Sequence, residues 1–478
     1  MTYADHSPQS LEGSVYAVTG RSTRSVAVIA CCLNLCAGER AFAQVLRGAA
    51  AFGSWQDDKP GVRRLFTAQD LQPVSKSLNS GAQVVPMPSG ARPQVPNGFS
   101  VEMVTSDLRN ARAIRAAPNG DLFVANSMSG SVHVLRIPAG SAKPSMKTVF
   151  ASGLEQPFGI AFYPLGPNPQ WVYIAKSNGV IRFPYKNGDL KATGQPERIL
   201  EGIPATHHWT RDIVVAPDGN RLFFSVGSGS NVALGMFPAP PLTMYPEPRI
   251  VSSLAEWVKL KPIGAAWDTE ELRANVLSFD PNGGNMKIVA TGLRNCAGIV
   301  IQPVTTQLWC VVNERDDLGD NTPFDYATHV AEGAFYGWPW YYIGAHEDPR
   351  QAGARPDLKD KVTVPDVFMQ PHSAPLQIVF YQGANFPAEY KGSAFVAMHG
   401  SWNRSKRTGY KVVRLLFDGG GKPTGEYEDF MTGFVISDTT VWGTPVGVAV
   451  ANDGSLFVTE DGNGTIWRVA YQRSRPSR

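Results

Sequence analysis

Short apolar runs of four to six residues, each closed by Pro, Gly, Asn or Asp, recur from about residue 99 onward. Residues 99–104 alternate apolar and polar side chains, as a half-buried strand does. Residues 113–117 and 122–125 flank Pro118-Asn119-Gly120, which outlines a β-hairpin. The same outline returns at 160–163 with 171–175, at 212–216 with 222–226, and at 297–301 with 308–312. It appears twice more, at 376–381 with 394–397 and at 445–450 with 456–459, and residues 464–469 add a further strand. Two short strands cannot bury both faces alone, so each unit needs neighbours. Roughly six units of about four strands, spaced at about 45–85 residues, predict an all-β fold, a six-bladed β-propeller. A β-sandwich is the alternative, but it leaves the repetition without a reason. The uneven spacing predicts insertions at 233–273 and 320–372, clustered on one face of the ring.

Composition agrees with many short strands and turns: the 478 residues include 47 Gly and 37 Pro. A formal charge of +3, with no long basic stripe, argues against nucleic acid as the main partner. The first residues have another character. Arg21 and Arg24 precede an apolar run at 25–37 and then Ala41-Phe42-Ala43, the pattern of a signal peptide cleaved near Ala43. The run is too short to span a bilayer, so the reading is export to a periplasm or secretion. The domains expected are a signal at 1–43, an N-terminal lead-in at 44–95 with a short helix opening at 67–70, and a propeller at 96–472. Export removes Cys31, Cys32 and Cys36 and leaves Cys296 and Cys310 on the two strands of one hairpin. A cross-strand disulfide and two buried thiols are both open there, because register decides. No C-x-x-C-H motif attaches a haem to this chain.

Five stretches carry polar chemistry at comparable ends of different units. His207 and His208 stand just before the third inner strand, where a neutral imidazole can accept a proton. Alternation along an extended strand lets only one of them face the channel. Arg294 and Asn295 hold the same place in the fourth unit, offering a planar fork and an amide. Residues 314–320 gather Glu314, Arg315, Asp316, Asp317 and Asp320, oxygen donors that suit a hard cation such as calcium or, equally, a solvated loop. The aromatic run 335–342, with Tyr336 and Trp338, is either a stacking platform or a plug that holds the insertion down. Residues 399–407, with Arg404, Lys406 and Arg407, then Lys411 and Arg414, form the densest basic stretch. It suits a small polyanion if its side chains converge, and an exposed hairpin tip if they do not.

At these residues the chain resembles the soluble quinoprotein glucose/sorbosone dehydrogenase family, in particular its L-sorbosone dehydrogenase-like branch. The matching motifs are GLRN (292–295), NERDDLGD (313–320), YGWP (336–339), HSA (372–374), HGSWNRS (399–405) and GYKVVR (409–414). The resemblance covers about residues 96–469. It implies a six-bladed propeller that binds pyrroloquinoline quinone (PQQ) and Ca2+ and oxidises an aldose, sugar aldehyde or related polyol by hydride transfer. His208 aligns with the family's catalytic base, with His207 as the fallback. Arg294 and Asn295 align with the pair at the reactive quinone oxygen. Arg404 aligns with a cofactor-carboxylate partner, joined by Tyr336, Trp338, Lys406, Arg407 and Lys411 as further cofactor contacts. Residues Glu314, Arg315, Asp316 and Asp320 mark the calcium turn, where main-chain carbonyls serve as ligands. Two departures stand out: Gln382 replaces a lysine of the glucose enzymes, and the usual Gly-Pro of the calcium turn is absent. The implied partners are a small sugar or aldehyde and a separate electron acceptor, a cytochrome or quinone. A calcium-dependent propeller hydrolase and a non-enzymatic binding propeller are the rival readings.

Overall fold

A computed structural model describes residues 44–237, 256 and 259–472. The expected signal peptide lies outside these residues. The sheets are those of a six-bladed propeller, five of them four-stranded and one extended to six. The inner strands are Ala111–Ala116, Ile160–Tyr163, Ile213–Val215, Cys296–Ile301, Pro375–Phe380 and Pro445–Val450. Each pairs antiparallel with the next strand in sequence, as the hairpin outlines require.

The second strands explain why the apolar runs do not alternate. Leu122–Asn126, Leu222–Val226, Leu308–Val312, Ala394–Met398 and Leu456–Glu460 are buried at every position. Each is covered by a neighbouring blade on both faces, so both sets of side chains must be compatible with burial. The core accordingly lies between blades. Phe123 and Phe150 of the first blade meet Phe162, Phe183 and Tyr185 of the second, and Trp309 of the fourth meets Phe380 and Phe417 of the fifth. Burial of each such side chain contributes roughly 1.5–3 kcal/mol. Near the axis, polar side chains join the inner strands. The buried Asp212 carboxylate accepts from Arg115 Nη2 (2.7 Å) and from the Ile299 amide (3.0 Å). Gln377 Oε1 accepts from the amides of Ile114 and Val448.

The ring closes through its two ends. Phe99–Thr105 is the outermost strand of the sixth sheet, whose other strands are Pro445–Val450, Leu456–Glu460 and Ile466–Tyr471. The lead-in packs onto the ring. Val45–Arg47 and Arg63–Leu65 extend the fifth blade beyond Pro423–Met431. The expected short helix at 67–70 is one 3-10 turn, Ala68–Asp70, with Asp70 accepting from the Thr67 amide. Residues 72–84 then cross the rim where the inner strands begin. There the Ser75 amide donates to Leu318, the Ser80 amide donates to Trp402, and Gln83–Val84 pairs with Thr440–Val441.

Cys296 and Cys310 form a disulfide with a Cα–Cα distance of 5.8 Å. A register shift between Cys296 and Gly298 brings them together, although Cys310 lies directly opposite Ile299. The insertion expected at 320–372 is narrower than that. Asp325–His329 is the third strand of the fourth blade and Val367–Met369 its fourth, with the inserted loop between them. Among the described residues, no helix is long and apolar enough to cross a membrane.

Candidate active site

The rim where the inner strands begin also receives the ends of the second strands, so each blade contributes two short polar segments to it. In the third blade these segments are 206–212 and 227–231. Both His207 and His208 are accommodated there, contrary to the alternation expected of an extended strand. His207 has φ +62°, and the two imidazole centroids lie 4.2 Å apart. His208 Nδ1 lies 3.1 Å from the Ser228 carbonyl and 2.9 Å from Ser228 Oγ. The carbonyl can only accept, and the Ser228 hydroxyl already donates to the Ser230 carbonyl (2.6 Å). Nδ1 therefore carries the proton, which leaves Nε2 with its lone pair. Burial first, then the positive charges of Arg294 and Arg273 and the neighbouring His207, hold the His208 pKa well below the usual imidazole value. His208 is a neutral imidazole.

Arg294 and Asn295 adjoin it. The Ser228 amide donates to the Arg294 carbonyl (2.7 Å), and the space where Gly227 lacks a Cβ is filled by the Asn295 amide oxygen and the His208 side chain. The Arg294 guanidinium is held by the chain itself. It donates to the carbonyls of Asn231, Asn313 and Glu314, to Asn231 Oδ1 and to the Asp316 carboxylate (3.0 Å). Asn295 Oδ1 is buried with no partner.

The basic stretch does not converge as one patch. Arg404 is on the same rim but beneath the lead-in, donating through Nη2 to the carbonyls of Phe52 and Gly53 and to Asn321 Oδ1. Its Nε and Nη1 are buried and unpartnered. Arg407 is turned inward onto the carbonyls of Ser401 and Arg404. Lys406 is exposed. Lys411 is fully buried between Asp58 and Asp429, where Arg64 makes a fourth member. Its charge is matched inside the protein, so spacing alone overstated the basic patch. Gln382 lies in the exposed turn between Pro375–Phe380 and Ala394–Met398, at the opposite rim, so its position bears on no cofactor contact here. In the aromatic run, Tyr336 donates to the His329 carbonyl inside the core and acts as a plug. Trp338 Nε1 donates to the Asn231 carbonyl (2.9 Å), which Arg294 also holds.

The acidic loop is likewise engaged. Arg315 pairs with Asp348, Asp316 with Arg294, and Asp320 accepts from the Ser405 amide and hydroxyl. Glu314 is buried, its Oε2 unpartnered, and burial pushes its pKa up to about 8. Among the described residues, no set of three or more His, Cys, Asp or Glu side chains is placed to hold a metal ion.

Several rim residues escaped the sequence reading. Asn231 is a hub. It accepts at its carbonyl from Arg294 and Trp338 and at Oδ1 from Arg294 and the Asp316 amide (2.9 Å), and it donates through Nδ2 to the Asp316 carbonyl (3.2 Å). Ser228 fixes the histidine. On the far side of the axis, Asp461 accepts from His399, Thr444 and Arg112, and the Arg112 guanidinium lies 5.2 Å from the Trp209 ring centroid. The signal for Ser228 and Asn231 was the small polar run Gly227-Ser228-Gly229-Ser230-Asn231, a loop composition that no apolar periodicity marks.

The profile of the family described as Glucose / Sorbosone dehydrogenase matches residues 108–403, and one described as TrAA12-like matches residues 351–472. An uncharacterized protein of Borreliella burgdorferi is 28% identical over 80% of this chain and 91% of its own length. A pyrroloquinoline quinone-dependent pyranose dehydrogenase of Coprinopsis cinerea is 25% identical over 78% of this chain. That match spans 54% of the longer protein. The holo PQQ domain of pyranose dehydrogenase from Coprinopsis cinerea superposes with a TM-score of 0.63 at 20% identity, covering 82% of this chain and 100% of the domain. A Trichoderma reesei enzyme of carbohydrate-active family AA12 gives 0.64 at 19% identity, over 82% of this chain and 99% of its own. At these identities the two structures speak for the fold.

Proposed function

The chain belongs to the Glucose / Sorbosone dehydrogenase family, and on that premise we propose that it is a PQQ-dependent dehydrogenase of an aldose or a sorbosone-like sugar aldehyde, with His208 as the base. The observation that carries this reading is the His208 imidazole, neutral, with Nδ1–H fixed on Ser228 and Nε2 bare, beside Arg294 and Asn295. Such a nitrogen takes the proton of a substrate hydroxyl, on a lactol or an aldehyde hydrate, without first losing one of its own. The buried, unpartnered Arg404 Nε and Nη1 are donors that the carboxylate oxygens of such a cofactor would satisfy, and Asn295 has an amide N–H to offer a quinone oxygen. Asn295 and Arg404 would hold it, while Asn231 and Asp316 keep the Arg294 fork oriented. When bound, the quinone supplies the acceptor for the hydride, the electron pair leaving the substrate carbon.

A hard cation at the 314–320 turn would rest on main-chain carbonyls, because Arg315, Asp316 and Asp320 are already engaged by Asp348, Arg294 and Ser405. No step assigned to this chain depends on it. That pairing also weighs against the hydrolase reading, which needs free carboxylates around a metal-bound water. Export to an oxidising compartment suits the Cys296–Cys310 disulfide, and electrons then pass to a separate carrier. The test is reconstitution with PQQ, with and without Ca2+, followed by dye reduction over a panel of aldoses, polyols and aldehydes. His208→Ala is expected to lower turnover by about 100- to 10,000-fold while the quinone absorption stays with the protein. Full turnover in His208→Ala would remove that residue from the role of base. Lactone hydrolysis without dye reduction would overturn the redox reading.

A further inference from the structure

The end of the third-blade insertion carries two buried charges that the proposed chemistry does not use, Glu270 and Arg273, at 1% and 3% exposure. The segment around them is tightly folded, with positive φ at Asp268, Leu272 and Ala274. Arg273 spends its guanidinium on main-chain oxygens. Nε donates to the Gly227 carbonyl (2.9 Å), and Nη2 donates to the carbonyls of Ser228 (2.7 Å), Thr206 and His208 (3.4 Å). These carbonyls belong to the two segments that face each other across the His208–Ser228 contact. No sheet ladder ties the two segments there. One main-chain bond, from the His208 amide to the Ser228 carbonyl (3.4 Å), joins them, and Arg211 Nη1 also holds the His208 carbonyl (2.7 Å). The Arg273 fork is thus the side-chain link that reaches the carbonyls of both. Glu270 secures the next turn, accepting from the Gly229 amide (2.6 Å) and from Ser230 Oγ (2.6 Å). The Ser230 carbonyl in turn takes the Ser228 hydroxyl proton, and so leaves Ser228 Oγ only a lone pair to offer His208.

We propose that Arg273 and Glu270 are positioning residues that lock His208 in its Nδ1–H form by clamping residues 206–208 against residues 227–230. Left-handed backbone at His207 (φ +62°) is unfavourable for a residue other than glycine, so the 206–208 segment does not hold this shape unaided. The insertion thus reaches the chemistry through its last turn, whatever its outer part does. The inference rests on the reading of His208 as base, yet the tautomer can be measured without turnover.

The experiment is 15N NMR of histidine-labelled protein without cofactor, alongside dye-linked kinetics of the reconstituted enzyme. Arg273→Lys keeps the charge and loses the fork. It is expected to shift the His208 nitrogens toward a mixture of tautomers and to lower kcat about 100-fold, with KM changed less than about threefold. Glu270→Gln, nearly isosteric, should move both readouts the same way by a smaller factor, and it carries the test alone if Arg273→Lys does not fold. A single Nδ1–H form retained in the folded variants overturns the proposal. Turnover surviving in His208→Ala would instead remove the base assignment and leave the tautomer measurement standing.

Discussion

Gly227→Ala places one methyl group at the junction of the site. Gly227 does not have positive φ, so alanine is allowed there by the backbone. The added Cβ would stand 2.5 Å from Asn295 Oδ1 and 2.7 Å from His208 Cβ. Carbon–carbon contacts settle at about 3.5–4.0 Å, so His208 or its segment must retreat by roughly 1 Å. Overpacking of this kind costs about 1–3 kcal/mol in stability. The same displacement of a catalytic group costs about 100-fold in rate. The loss should appear in kcat more than in KM. The Gly227 carbonyl is also held by Arg273, which prevents the strand end from simply swinging away. Gly419→Ala is the control, since a Cβ there has nothing within 4 Å. Dye-linked kinetics and thermal melts of both variants measure the effect. A Gly227→Ala enzyme with the parent's kcat and melting temperature would show that this junction is not where the chemistry happens.

Other consequences are open to measurement. The depressed His208 pKa means the base stays unprotonated at pH 6.5, so the acid limb of kcat/KM should lie below that value. Because the unfolded imidazole binds its proton first, the stability this group contributes is present above about pH 6.5 and lost as pH falls toward its folded value. Arg294→Met should move the limb upward, and an unmoved limb would remove Arg294 as a cause. The double substitution of Cys296 and Cys310 by Ala opens a bridge spanning 14 residues and should cost about 3 kcal/mol in denaturant titration. Asp429→Asn leaves Lys411 and Arg64 short of a counter-charge in a fully buried cluster. A loss of about 3–5 kcal/mol, with earlier proteolysis of residues 44–65, is the expected outcome.

The blades were legible because hairpin turns and apolar runs are local signals. The runs 122–125 and 456–459 announced strands, and the structure adds that both are buried at every position. His208, Arg294 and Asn295 were legible through motif and position, each just before an inner strand. Pairing was not. Nothing in the spacing of Lys411 shows that Asp58, more than 300 residues away in sequence, neutralises it. Nor does the acidic run 314–320 show that Arg294 and Ser405 already occupy its carboxylates. The disulfide stayed open for a related reason, since one bulge decided which residues lay near Cys310.

The strand Phe99–Thr105 finishes a sheet whose other members come after all the other blades in sequence. Until Ile466–Tyr471 emerges, the barrel of sheets is a horseshoe with two unsealed flanks, each offering naked backbone to any passing strand. Loss of the six residues Ile466–Tyr471 would leave Phe99–Thr105 without its partner and the ring unclosed.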